Sequence, residues 1–421
     1  MSTAKILALA ALAAAFACRP AWAQAEARQA PLAVPGAELQ GTVTLRAALE
    51  AAWQRAVVAR DSDGQRRRAE AGQIAASSYW AAPPSLELAV RNDRWMTDAG
   101  ERETTVGVAW PLLLPGQRTA RTKVADGDVA LADDALAAAQ LRLAGEVREA
   151  AWSLADQRAE VALADAQVKT LEALADDVDR RVRAGDLARV DALAARAEWL
   201  NATTQRSEVQ QRWLAALSRW TTLTGLETLP AVEVEAARAA STDPLAAHPE
   251  VRLSLASTEQ ARRRLDLLRS SRRDAPELTM GVRQDIPSRG EPANYSLLVG
   301  VRVPFGPADR NRPLEASAIA DLDTAETVQL RLRERLTADI ALARERAQQA
   351  ERQLQAERER AALLRERAQL IDKSFRAGES SLPDLLRALS ASAHADAALA
   401  RQQALLGLAR ARFNQSLGLL P

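Results

Sequence analysis

Four short segments of the chain alternate apolar and polar residues, and they occur as two pairs. In the first pair, Leu86, Leu88 and Val90 alternate with polar or small neighbours, and a second alternating run follows at about 105–110. The other pair occupies about 277–283 and 295–303, and a polar loop joins the members of each pair. An apolar residue at every second position is typical of a β-strand with one apolar face. The pattern predicts two β-hairpins, at about 85–111 and 277–304.

A different period follows each hairpin, with apolar residues at steps of three and four. This seam runs from Leu143 to Val182 in the first half and from Leu336 to Phe375 in the second half. Heptad-like spacing predicts long helices that pack along a narrow stripe. The predicted long helices span about 116–183 and 312–376, and shorter ones span about 190–222 and 383–415. At 1.5 Å per residue the first would be about 100 Å long, too long for a compact domain of this mass.

Helices also open each half, and glycines end the two long helices. The opening helices are predicted at about 44–80 and 248–272. Gly185 and Gly378 stand directly after the two long helices. Glycine is favoured there because it adopts the left-handed conformation without a Cβ clash. Each half therefore reads helix, β-hairpin, long helix, turn, helix.

The two halves match each other at a shift of 192 or 193 residues. Pro84 and Leu86 recur as Pro276 and Leu278 at 192. The matches at 193 are Val106–Gly107–Val108 with Val299–Gly300–Val301, Arg183–Ala184–Gly185 with Arg376–Ala377–Gly378, and Asp191 with Asp384. Self-similarity at one shift indicates a duplicated unit. We expect two structural repeats, 24–229 and 230–421.

The N-terminal segment has the pattern of a signal peptide. Lys5 precedes the apolar run 6–17, and Ala21–Trp22–Ala23 provides small residues around a cleavage site. These features predict a signal peptide over 1–23 and an exported chain. The alternative is a lipoprotein that is cleaved before Cys18 and acylated on it.

Composition excludes several classes of function. Lys plus Arg number 56 against 55 Asp plus Glu, a balance that argues against an electrostatic nucleic-acid surface. One Cys and two His are too few for a disulfide scaffold or a Cys/His zinc site. His248 precedes a helix and His394 lies on one, and neither has a second ligand at suitable spacing. No nucleophile-elbow, phosphate-loop or metalloprotease motif is present. We expect no enzyme, no cofactor and no resident metal.

The predicted strands have two interpretations. A soluble chain would pack the apolar face of a four-stranded sheet on its helices. In an exported chain, strands of about nine residues also have the length that a tilted membrane strand needs, and Trp95, Trp110 and Tyr295 lie near strand ends, where interfacial aromatics occur. Four strands cannot close in lipid, where an open edge leaves backbone groups unsatisfied. Three copies would supply twelve strands and leave a lumen.

Short motifs stand at residues 44–49 of the opening helix, 111–118 and 304–306 with 309–312 at the strand-to-helix crossings, and 376–378 with 384–386 at the helical turn. In these motifs, and above all in the order, spacing and duplication of its segments, the layout resembles the outer membrane factor family, the TolC-like efflux ducts, and within it the branch that serves heavy-metal resistance pumps. The resemblance covers nearly the whole mature chain.

The resemblance implies a mainly α fold with a small membrane β part: a homotrimeric twelve-stranded barrel in outer membrane lipid that continues into a long periplasmic α-helical barrel. It implies a passive duct that exports cargo, with heavy-metal cations as one candidate. The implied partners are a periplasmic adaptor protein and an inner-membrane resistance-nodulation-division pump. The alternative function is a periplasmic coiled-coil adaptor or scaffold protein of an export system.

A periplasmic gate is also implied by the resemblance. In this family inward-coiled helices close the narrow end, an acidic ring lies at the constriction, and Asp384 matches the first acidic position of that ring. Arg387 stands where the second acidic residue would fall, and the equivalent turn of the first half carries Asp191 followed by Ala194. Three facing carboxylates at a narrow mouth attract cations. The alternative is that Asp384, just after Pro383, stabilises the first turn of its helix through the macrodipole.

Overall fold

The computed structural model describes residues 42–95, 99–236, 243, 245–271, 274–305 and 308–421. These residues belong to one compact unit, Gly41–Pro421. The predicted signal peptide, with Cys18, lies outside the described residues.

The order of elements repeats once along the chain. The helices are α1 Leu45–Arg55, α2 Val57–Ala76, α3 Gln117–Ala184, α4 Arg189–Thr224, α5 Pro249–Ser270, α6 Arg312–Arg376 and α7 Leu382–Ser416. The strands are β1 Thr42–Val43, β2 Ser85–Asn92, β3 Arg102–Pro111, β4 Leu229–Pro230, β5 Glu277–Ile286 and β6 Asn294–Arg302. A short 3-10 turn, Ala308–Asn311, precedes α6. The predicted order of helix, hairpin, long helix and helix is confirmed in both halves.

The first opening helix differs from its prediction, because it is divided in two. Thr44 caps α1 through its Oγ1, which accepts the Ala47 N–H at 3.2 Å. The helix ends at Ala56, whose ψ of 132° is extended. Val57 and Val58 then begin α2, and consecutive β-branched residues lower helix propensity. The prediction of a single helix over 44–80 was wrong at this position.

The hairpins join into one antiparallel sheet with the order β2-β3-β5-β6. Its register aligns apolar residues across all four strands, for example Leu88 with Val106, Val106 with Val282, and Val282 with Leu297. Because strand side chains alternate between faces, the odd-numbered residues of β2, β3 and β5 lie on the other face. That second face carries small and charged side chains.

Glycines allow close contact at the centre of the second face. Gly107 lies directly opposite Gly281 where β3 pairs with β5. A Cβ at Gly281 would stand 2.6 Å from the backbone oxygen of Val106. Only glycine fits there, and this contact joins the two repeats.

The long helices form two hairpins, α3 with α4 and α6 with α7, and α3 packs against both. Its middle, from Ala138 to Leu154, contains eleven buried residues, and five of them are alanines. Small residues let helices approach closely: a Cβ at Gly407 of α7 would lie 2.0 Å from the Trp152 ring of α3. The predicted apolar seam of α3 therefore lies in the contact surface between helices.

One buried arginine connects three distant parts of the chain. Arg148 of α3 is 2% exposed and donates to both carboxylate oxygens of Glu235, at 2.8 and 3.0 Å. It also donates to Gln415 Oε1 at 2.7 Å and to the Leu419 carbonyl at 2.9 Å. Asn414 donates to the same Glu235 carboxylate at 2.8 Å. The segment after β4 and the C-terminus are thereby held against α3.

Candidate functional site

The apolar face of the sheet is open to the surroundings in a single chain. Ten apolar side chains of this face and its margin are between 42% and 74% exposed. They are Leu86, Leu88, Val90, Val106, Met280, Val282, Leu297, Val299, Val301 and Val303. An apolar patch this continuous is unusual on a soluble monomer. The alternative interpretation, in which helices cover this face, is wrong for the described residues.

Exposed aromatic side chains lie at both ends of this apolar face. Trp95 follows β2 and Tyr295 is the second residue of β6, at the end of the sheet far from the helices, and both are exposed. Trp80 and Phe305 are exposed at the end where the strands join the helices. Trp110 lies at that same end and is partly exposed. Aromatic residues above and below an apolar band are typical of membrane interfaces.

The second face of the sheet carries ion pairs. Arg283 contacts Glu103 at 2.9 Å, and Arg302 contacts Glu277 at 3.2 Å. Glu87 of the edge strand β2 has no side-chain partner among the described residues. Strands β2 and β6 form the two edges of the sheet, so one side of each has no strand partner among the described residues.

The far ends of the two helical hairpins share one turn geometry. Gly185 and Gly378 have φ angles of 87° and 81°. The next N–H reaches back to a carbonyl in the helix, from Asp186 to Arg181 and from Glu379 to Ser374, each at 2.9 Å. This six-to-one bond is the Schellman motif. Both glycines therefore end their helices as the sequence predicts.

The two predicted gate aspartates are the third residues of α4 and α7. Asp191 Oδ2 accepts the Ala188 N–H at 3.2 Å. Asp384 accepts the Ser381 hydroxyl at 2.6 Å, and Ser381 Oγ accepts the Asp384 N–H at 3.4 Å. The reciprocal bonds of Asp384 and the single bond of Asp191 stabilise the starts of their helices. Both carboxylates thus lie at a helix start, the role considered as the alternative for Asp384.

Arg387 makes a direct contact with the carboxylate of Asp384. Its Nη2 lies 3.1 Å from Asp384 Oδ1, and both side chains are at least half exposed. The residue that departs from the family pattern is therefore the partner of the residue that matches it. The structure brings Asp384 and Arg387 together on one helical turn. Asp191 has no arginine three residues further on, because the equivalent position is Ala194.

A shared apolar core holds the ends of both hairpins together. Its buried members are Ala175, Val178, Ala195, Phe375, Leu382 and Leu385, drawn from α3, α4, α6 and α7. The Arg181 guanidinium lies over the Phe375 ring, 5.1 Å from its centroid. The starts of α4 and α7, which carry Asp191 and Asp384, therefore pack against a common apolar core.

Sequence reasoning missed a carboxylate at the middle of the hairpins. Glu160 of α3 is 6% exposed and contacts Arg212 of α4 at 3.0 Å and Arg401 of α7 at 2.5 Å. One turn away, burial and the nearby Glu160 charge raise the pKa of Asp156. No local pattern could identify this cluster, since its partners lie 52 and 241 residues away along the chain.

The histidines have separate structural positions. His248 is 2% exposed, and its Nδ1 accepts the Glu250 N–H at 3.2 Å at the start of α5. Burial lowers its pKa. His394 is exposed on α7. Among the described residues, no group of three or more His, Cys, Asp or Glu is arranged to hold a metal ion.

None of the helices in the described part of the chain combines the length and apolar character that a membrane crossing requires.

Comparison with known proteins identifies relatives. The family model for outer membrane efflux protein matches residues 8–226, just over half of the 421 residues. The cobalt-zinc-cadmium resistance protein CzcC of Cupriavidus metallidurans is 28% identical over 275 residues, which are 62% of this chain and 62% of that relative. The matched region thus spans less than two thirds of the length of CzcC.

Solved structures share the fold. A structure of CusC, described in terms of transmembrane channel formation, superposes with a TM-score of 0.75 at 14% identity and covers 89% of this chain and 92% of that one. The MtrE outer membrane channel of Neisseria gonorrhoeae, in an open state, gives a TM-score of 0.71 at 16% identity, covering 89% and 88%. The mainly α fold with a small sheet is thus that of TolC-like channels. The chain belongs to the outer membrane efflux protein family.

Proposed function

We propose that the protein is the outer membrane channel of a tripartite efflux system, a passive duct from the periplasm or pump to the exterior. The observation that carries this proposal is the exposed apolar face between exposed aromatic side chains, on a sheet set apart from the long helices. Such a surface is stable in lipid, where apolar side chains face acyl chains. The partner on the periplasmic side would be an adaptor protein, and the energy would come from an inner-membrane resistance-nodulation-division pump.

Closure of the sheet requires other copies of the chain. Both edges of the four-stranded sheet have unpaired backbone groups, which lipid does not tolerate. We propose a homotrimer whose twelve strands close one barrel and whose helices continue it as a tube. Each subunit would contribute two repeats, 24–229 and 230–421, so that six similar units surround the lumen.

The cargo that we propose is a heavy-metal cation. The named relative is a cobalt-zinc-cadmium resistance protein, and this similarity supports the assignment. A conduit must release what it carries, so weak and repeated contacts suit the task better than tight ligation. A deletion strain would become sensitive to divalent metal salts. Sensitivity to drugs without sensitivity to metals would contradict the assignment.

Asp384 and Arg387 would form the periplasmic constriction. Three Asp384 carboxylates brought together would attract cations, and three Arg387 side chains on the same helical turn would oppose this field. We therefore propose a weakly selective gate, held by the turns at Gly185 and Gly378, with Asp191 in the equivalent turn. In planar bilayers, Asp384→Ala should lower cation preference and Arg387→Asp should raise it. Unchanged selectivity in both variants would leave Asp384 with its helix-start role alone.

Location and assembly test the main proposal. The full chain should fractionate with the outer membrane and migrate as a trimer on unheated detergent gels, and boiling should convert it to a monomer. Recovery of the chain as a monomer in the soluble periplasmic fraction would refute the proposal.

A further inference from the structure

The internal duplication is also present in the hydrogen-bond register of the sheet. In the first hairpin Leu86 lies opposite Val108. Their counterparts at shifts of 192 and 193 are Leu278 and Val301, and these two residues lie opposite each other in the second hairpin. The shift therefore relates strand pairs, and not only sequence motifs.

The same rule extends to the join between repeats. Within the chain, β3 of the first repeat pairs with β5 of the second, with Ala109 opposite Thr279. The equivalent join between neighbouring copies would pair β6 of one chain with β2 of the next. The counterpart of Ala109 at a shift of 193 is Arg302, and the counterpart of Thr279 at a shift of 192 is Glu87. We propose that β6 and β2 of adjacent copies pair in the register that sets Arg302 opposite Glu87, an inference that rests on the proposed trimer.

Charge supports this register. Glu87 has no side-chain partner among the described residues, whereas Glu103 and Glu277 on the same face each pair with an arginine. The Arg302 side chain is 77% exposed and contacts Glu277 from one side only. Opposed charges on one face of an antiparallel pair stabilise it, and like charges destabilise it. The register therefore places the Glu87 carboxylate, which has no side-chain partner among the described residues, beside the Arg302 guanidinium, which has one ion-pair partner.

The apolar face supports the same register. It sets Val303, Val301 and Val299 of one chain opposite Leu86, Leu88 and Val90 of the next, respectively. All six side chains are at least 57% exposed in the single chain. A slip of one residue would place these side chains on the charged face of the neighbouring strand. The apolar band therefore continues across the subunit boundary without a break.

Gly300 provides a third observation. A Cβ at Gly300 would meet no other described residue of its own chain within 4 Å. Its counterpart Gly107 is in close contact with β5, where a Cβ would lie 3.2 Å from the Met280 carbonyl oxygen. In the proposed register Gly300 lies opposite Ala89 of the neighbour. The glycine then serves a contact that a single chain does not contain.

Cysteine cross-linking in outer membranes tests the register. The background chain carries Cys18→Ser, and the test pair is Ala89→Cys with Gly300→Cys. Opposed residues lie within disulfide range, whereas positions two residues away lie at 7–8 Å. The slipped pairs combine Ala89→Cys with Leu298→Cys or Arg302→Cys. Oxidation of the test pair should yield covalent dimers and trimers at about tenfold the level of either slipped pair.

A control inside one chain separates failed oxidation from a wrong register. Ala89→Cys with Thr105→Cys joins residues opposed within the first hairpin, so its free thiols should disappear while the chain remains a monomer on boiled gels. Dominant cross-linking in a slipped pair, or none in the test pair of an intact trimer, would overturn the register. A monomer in every variant on unheated gels, with the hairpin control oxidised, would overturn the proposed trimer and the register together.

Discussion

Replacing Arg148 tests whether one buried network fastens the C-terminus to the long helix. Arg148 is almost fully buried, and four hydrogen bonds link it to Glu235, Gln415 and Leu419. Arg148→Met keeps most of the side-chain volume but leaves the Glu235 carboxylate without its cation. Glu235 is 18% exposed and keeps Asn414 as a donor. Removing one partner of a buried ion pair costs 3–5 kcal/mol, so we expect a loss of about 3 kcal/mol.

A double-mutant cycle distinguishes this mechanism from simple loss of packing. Glu235→Leu removes the carboxylate, and the double variant with Arg148→Met removes both charges. Replacing both partners by apolar groups costs less than leaving one unpaired, so the double variant should be more stable than Arg148→Met alone. The assay is urea unfolding in detergent, followed by far-ultraviolet circular dichroism at fixed protein concentration. A loss below about 1 kcal/mol, or strict additivity in the cycle, would refute the reasoning.

Three further substitutions test local features, each by the same unfolding measurement. Gly407→Ala should cost about 1–3 kcal/mol because its Cβ would overlap the Trp152 ring, and Trp152→Leu in the same chain should relieve part of that loss. Burial raises the pKa of Asp156 above 3.8, so its charged form destabilises the fold at neutral pH; Asp156→Asn should raise stability there, with the gain disappearing as pH falls towards 3.8. An equal gain at every pH would contradict this. Gly378→Ala should cost about 1–2 kcal/mol at its positive φ, whereas Gly64→Ala, on an open face of α2, should not destabilise.

The sequence predicted helices and strands correctly where their hydrophobic periodicity depends only on residues close together along the chain. A period of two located both hairpins, and steps of three and four located the long helices, because each pattern reports which face of an element is apolar. The break at Ala56 was missed, since helical periodicity continues on both sides of it. The glycine turns were predictable because Gly185 and Gly378 each follow a long apolar seam.

The candidate gate shows how far sequence reasoning reaches. The motif located Asp384 and Arg387 on one turn, and their ion pair follows from a spacing of three residues. The selectivity of that gate stays a prediction, because it depends on how copies of the turn face each other.

By itself, the sequence determined the element order, the duplication and the alternating apolar face of the strands, since each depends on residues close together or on one fixed shift. Only the tertiary structure decided that this face is left uncovered and that β3 joins β5. It alone revealed the Arg148 and Glu160 clusters, whose partners lie far apart along the chain. Side-chain contacts between distant helices depend on helix rotation and register, which local patterns do not specify.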